Sequence, residues 1–224
     1  MLVWLHTDKG IDMNKVILAC AAFAGLAAQA APALAFDWNG FYAGVGVGYT
    51  SSDVDVAYDE PMLSGFDFSM APAGGFGGVT AGFNATVGSG LIVGVEADLS
   101  LADITDSAPG LVMGETVTST TDWTGSLRGR LGFDAGNFLP YLTGGVVFSH
   151  STASASDVDT DDDAVLTGAI LGAGVEVAVT ENITVKGEYL YSAFGDHTWY
   201  EGELYQNTSS MSSQAVRGGV NFHF

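Results

Sequence analysis

The side chains with the most chemistry to offer are nine charged residues set among apolar ones: Glu96, Asp98, Asp122, Arg128, Arg130, Glu176, Lys186, Glu188 and Arg217. Several stand two apart, as Glu96 and Asp98 do, or Arg128 and Arg130, so each such pair faces one side of an extended chain. Five acids and four bases on one face could line an ion path, or could hold one another through charge-assisted hydrogen bonds. Asp157, Asp159, Asp161, Asp162 and Asp163 invite a calcium reading, but a calcium loop wants Gly at its sixth position and Glu at its twelfth. Here those positions are Asp162 and Gly168, so a solvated acidic segment is expected. His150, His197 and His223 lie on separate segments without ligand spacing, and no metal or cofactor is expected. His150 precedes Ser151 and Thr152, a base beside two hydroxyls, yet no acid is evidently placed to orient it.

The elements that must position these groups show a period of two. In Leu91–Leu101 the odd positions are Leu, Val, Val, Ala, Leu and Leu, while the even ones include Gly94, Glu96, Asp98 and Ser100. The same division recurs seven more times. Phe41, Ala43, Val45, Val47 and Tyr49 face away from Gly44, Gly46 and Gly48; Trp123, Leu127, Leu131 and Phe133 oppose Asp122, Ser126, Arg128 and Arg130. Further on, Ile183, Val185, Tyr189 and Tyr191 oppose Thr184, Lys186 and Glu188, and Val216, Val220, Phe222 and Phe224 oppose Arg217, Asn221 and His223. Connections alternate between short (around 88–90, 134–137 and 180–182) and long (about 54–73, 102–115, 155–163 and 195–210). Eight strands with that alternation predict an all-β, eight-stranded antiparallel up-and-down transmembrane barrel. A soluble β-sandwich also alternates. Aromatics at both ends of the apolar faces (Tyr49, Trp123, Phe148 and Tyr191; Phe41, Phe133, Phe222 and Phe224) favour the membrane form. A pairing of Val179 with Ile183 would set Glu176 opposite Lys186.

Composition narrows the function classes. Of 224 residues, 26 are acidic and 6 basic, a net charge of -20 that excludes nucleic acid as a partner. A single cysteine excludes a disulfide scaffold. Residues 13–35 have the secretory signal pattern, with Lys15, an apolar stretch and Ala33-Leu34-Ala35, and residues 1–12 fit an over-extended start. The barrel is therefore expected over 36–224. Sixteen of its 24 acids fall on the long-loop side, where Tyr58, Phe66, Trp199, Tyr200 and Tyr205 offer a recognition surface.

Two terminal segments carry a resemblance. Asp37-Trp38-Asn39-Gly40-Phe41-Tyr42-Ala43-Gly44 and Gly219-Val220-Asn221-Phe222-His223-Phe224 resemble the opening and finish of small opacity-type, porin-like outer-membrane barrels of Gram-negative bacteria. The resemblance implies insertion by the barrel-assembly machinery, which in that family reads the last strand, so Phe222 and Phe224 stand as the assembly signal. It also implies surroundings of outer-membrane lipid and lipopolysaccharide, and a surface antigen of the cell envelope that meets a host or extracellular ligand through its loops. The expected function is a non-enzymatic envelope protein with a salt-bridged interior. The alternative is a small passive channel. A lipid A-modifying enzyme would use a lipid-facing His150 and Thr152, but Ser151 should then point inward, away from the His-x-Ser arrangement such enzymes use.

Overall fold

In a computed structural model of the chain, the described residues are 36–58, 68–109, 116–155, 162–195, 197–199 and 207–224. They form ten strands: β1 (Gly40–Tyr58), β2 (Phe68–Met70), β3 (Ala73–Val87), β4 (Leu91–Pro109), β5 (Thr116–Phe133), β6 (Phe138–Ala155), β7 (Asp162–Ala178), β8 (Ile183–Phe194), β9 (His197–Trp199) and β10 (Asn207–His223). Eight of these are staves of one antiparallel sheet, ordered β1-β3-β4-β5-β6-β7-β8-β10, and β10 pairs back with β1 to close it. The three-residue β2 and β9 extend the edges of β1 and β10 beyond the staves. Val, Ile, Phe, Tyr and Thr suit such strands, and closure leaves no stave with unpaired backbone inside a bilayer.

Register fixes the dimensions. Stepping across paired residues from Tyr42 leads through Gly82, Glu96, Arg128, Gly145, Ile170, Ser192 and Ser213 and returns to β1 at Ser52, ten residues along. Ten residues of rise at about 3.3 Å, spread over eight strand spacings of about 4.8 Å, tilt the strands by about 41°. The same geometry gives a backbone radius of about 8 Å. Opposing long side chains therefore meet near the axis.

The outward face carries Phe41, Val45, Leu99, Leu127, Leu131, Leu142, Leu171 and Val220, all exposed, as a lipid-facing band requires. The buried residues are inside the ring and are largely polar. Each tilted residue gains about 2.5 Å of height, so roughly ten residues span a hydrocarbon band of about 25 Å. The 19-residue β1 and β4 project well beyond it on the side away from Phe36 and Phe224. Several segments expected as long loops are thus partly strand: β1 runs to Tyr58, β4 to Pro109, and β10 starts at Asn207. Above the bilayer both strand faces meet water, so the sequence there has no reason to alternate. The expected leader, and most of the acidic and aromatic segments of the first, third and fourth loops, lie outside the described residues.

Candidate functional site

Among the described residues, the lumen is where ionisable groups concentrate away from water. Eight of the nine expected inward charges are there: Glu96, Asp98, Arg128, Arg130, Glu176, Lys186, Glu188 and Arg217 are buried or nearly so. Asp122 is not, its side chain being 52% exposed. The register slips between Thr121 and Trp123 against β6, so Asp122 is the extra residue of a β-bulge. Parity read along the sequence fails past such an insertion. Without Asp122 the lumen holds four acids and four bases, a net charge of zero.

These eight form two connected layers. In the outer layer Arg128 donates through Nε and Nη2 to Asp98 Oδ2 (3.1 and 2.7 Å), through Nη2 to Glu96, and through Nη1 to Glu188 Oε1 (3.4 Å). Arg217 donates to Asp98 Oδ1 (2.7 Å), Glu96 Oε1 (3.1 Å) and Glu188. Asp98 also accepts from Thr80 and from Ser126 (2.9 Å). In the inner layer Arg130 donates to Glu176, which also accepts from Thr184 and from Asn221 Nδ2 (2.7 Å), with His223 Nε2 at 3.4 Å. The Arg130 guanidinium lies 3.7 Å from the centre of the Tyr141 ring, within cation–π range.

Lys186 departs from the simplest pairing. Val179 donates its backbone N–H to the Ile183 carbonyl, and Glu176 and Lys186 are direct cross-strand neighbours, as their spacing suggests. Yet Lys186 Nζ donates to Glu96 Oε2 at 2.8 Å. Lys186 is on β8 and Glu96 on β4, four staves away in a ring of eight, so this ion pair spans the diameter. Tyr42 on β1 donates its hydroxyl to the same oxygen, at 2.8 Å.

Below the inner layer the segment before β1 turns into the mouth of the barrel. Phe36, Trp38, Ile92, Leu139, Tyr141 and Ala178 form a buried cluster there. His223 sits among the rings of Phe36, Trp38 and Tyr42 at 5.0, 6.1 and 5.3 Å between centres. Trp38 Nε1 donates to the Gly136 carbonyl at 3.0 Å. Gly136 has φ of +85°, which a side chain at that turn would strain. Asn39 staples the entry by accepting from Thr86 N (2.6 Å) and donating to Asp37 Oδ1 (2.7 Å). Donation from the Asn39 side-chain amide and from its backbone N–H holds the exposed Asp37 carboxyl below the usual carboxylate range. This aromatic stopper was not foreseen from the sequence. Its visible sign is Tyr42 and Tyr141, large rings standing at inward, otherwise polar positions.

On the outer wall, His150 Nδ1 is 3.2 Å from Asp122 Oδ2, and its imidazole stacks on Trp123 at 5.9 Å. An acid is therefore placed beside His150 after all, because the bulge turns Asp122 outward. Phe222 and Phe224, the expected assembly signal, are both exposed on the lipid side. No group of three or more potential metal ligands occurs among the described residues.

The sequence profile of the outer membrane protein beta-barrel domain matches residues 17–224. The chain belongs to that family. Within reach of this outer-membrane barrel, the 31 kDa outer-membrane immunogenic protein of Brucella melitensis is 32% identical over 215 residues, covering 88% of each chain. The 22 kDa outer membrane protein of Rhizobium leguminosarum bv. viciae is 35% identical over 199 residues, covering 88% of this chain and 83% of its own. Among solved structures, the outer membrane protein OprG of Pseudomonas aeruginosa superposes with a TM-score of 0.50 at 12% identity, over 85% of this chain and 98% of its own. That likeness concerns the fold alone. Family and relatives place the protein in the outer membrane as a β-barrel.

Proposed function

We propose that this barrel is a closed, non-enzymatic scaffold of the outer membrane, which carries acidic segments outward and conducts nothing through its lumen. The observation behind this is the Lys186–Glu96 ion pair across the diameter, set within a charge-balanced layer. An ion entering would have to displace groups that already satisfy one another, in a space too narrow for both. The aromatic stopper is a second barrier in series. Processing after Ala35 would leave Phe36 to take its place at the mouth, lipopolysaccharide would surround the outer girdle, and the barrel-assembly machinery would read Phe222 and Phe224. Contact with a host or other extracellular ligand would fall to the acidic segments beyond the bilayer.

Planar-bilayer recording of the refolded protein tests the closed lumen. The expected trace stays at the bare-lipid baseline. Reproducible unitary steps would refute it and favour the small-channel alternative.

A further inference from the structure

Above the ionic layers the character of the lumen changes. A cavity of about 90 Å³ lies there, floored by Asp98 and Arg217. One wall is apolar: Val147, Ile170 and Leu190 on β6, β7 and β8 are buried against one another, and Phe194 and Ala215 pack on them. The facing side carries the hydroxyls of Thr50 on β1, Ser100 on β4 and Thr124 and Ser126 on β5, together with the Phe76 ring on β3. These apolar side chains point inward, in a barrel whose other inward residues are mostly charged, polar or glycine. They contribute nothing to the lipid face and leave a void rather than filling one.

We propose that this outer half of the lumen is a blind binding chamber for the alkyl end of a small uncharged amphipathic molecule, such as an aliphatic alcohol. Three features select that chemistry. The apolar wall gains from covering an alkyl chain. The hydroxyl wall can donate to and accept from one polar group on the ligand. The floor is already neutral: Asp98 accepts from both arginines, and Arg217 is committed to three carboxylates. A charged ligand would lose its hydration and find no uncompensated partner. Size follows from proportion. A 150 Å³ apolar cavity holds benzene, so about 90 Å³ takes a chain of about four carbons. The inference goes beyond the scaffold reading and borrows from it only the closed floor.

Three of the isoleucines make the test. Ile170 is in the chamber, Ile92 is in the stopper cluster, and Ile183 faces lipid. Methyl NMR of Ile-labelled protein in lipid nanodiscs, titrated with 1-butanol, reports these three in one spectrum. The expected result is a saturable shift of Ile170 with Ile92 unmoved, while Ile183 moves only in proportion to alcohol in the bilayer. Butyrate and butylammonium should bind at least about tenfold more weakly than butanol. Ala215→Leu, which fills the void, should abolish saturation. Leu190→Ala, which enlarges it, should shift the preference to 1-hexanol, and so provides a reading if Ala215→Leu fails to fold. An Ile170 shift that only tracks Ile183, or is absent, overturns the chamber. Butyrate or butylammonium binding as well as butanol overturns the uncharged ligand. Neither outcome bears on conductance, so the two readings fail separately.

Discussion

Replacing Arg128 by Met keeps the unbranched stem about as far as the arginine Nε and removes one charge from a lumen that has no spare. The guanidinium contacts Asp98, Glu96 and Glu188, and no part of its side chain is exposed. Without it, four carboxylates remain for Arg130, Lys186 and Arg217, and Arg130 is committed to Glu176. One negative charge is then uncompensated in a medium it cannot leave. Stranding a buried partner in this way costs about 3–5 kcal/mol. Urea unfolding in phospholipid vesicles, followed by tryptophan fluorescence, measures it. Adding Glu96→Gln to Arg128→Met restores neutrality and should recover at least about 1.5 kcal/mol relative to additivity, since the two side chains touch. The loss should be the same at about 50 and about 500 mM salt, because mobile ions do not reach the layer. A single variant within about 1 kcal/mol of the parent, or strictly additive effects, would refute the argument that these charges close the barrel by holding one another.

Three further outcomes are expected. Gly145→Ala should prevent folding, because the added methyl would meet the Leu127 carbonyl and lie 2.7 Å from Arg128 Cα, both backbone atoms with nowhere to move. Absence of a faster-migrating unboiled band on a gel checks this. Trp38→Ala should lower stability by about 3 kcal/mol, the order for emptying an aromatic site, yet leave planar bilayers silent because the ionic layers remain. Phe224→Ala should leave refolding in detergent unchanged but reduce the assembled fraction in the outer membrane, as judged by heat-modifiable migration in cell envelopes. Equal assembly would remove Phe224 from the signal.

The staves were legible because lipid on one side and a packed polar lumen on the other impose a period of two, and residues such as Leu91–Leu101 have no freedom to depart from it. That constraint ends where the bilayer ends, so the extension of β4 to Pro109 left no pattern to read. Asp122 was misplaced by the single extra residue of the bulge, an event with no local sequence mark. The cross-strand position of Lys186 followed from the turn, but its partner did not. Choice among Glu96, Glu176 and Glu188 depends on which carboxylates Arg128, Arg130 and Arg217 already occupy, which only the assembled ring decides. The apolar chamber wall was visible as Val147, Ile170 and Leu190 interrupting the alternation, a departure that reads as noise until the strands are joined.

Only four basic residues follow residue 35, namely Arg128, Arg130, Lys186 and Arg217, and every one of them is inside the barrel wall. Between residues 36 and 224, enzymes that cut after lysine or arginine therefore meet no susceptible bond on the folded barrel, loops included, while the same stretch unfolded offers them four. Resistance to trypsin becomes an all-or-none record of closure. It costs the protein nothing to carry, and amine-directed reagents applied from outside will find no lysine to label between residues 36 and 224.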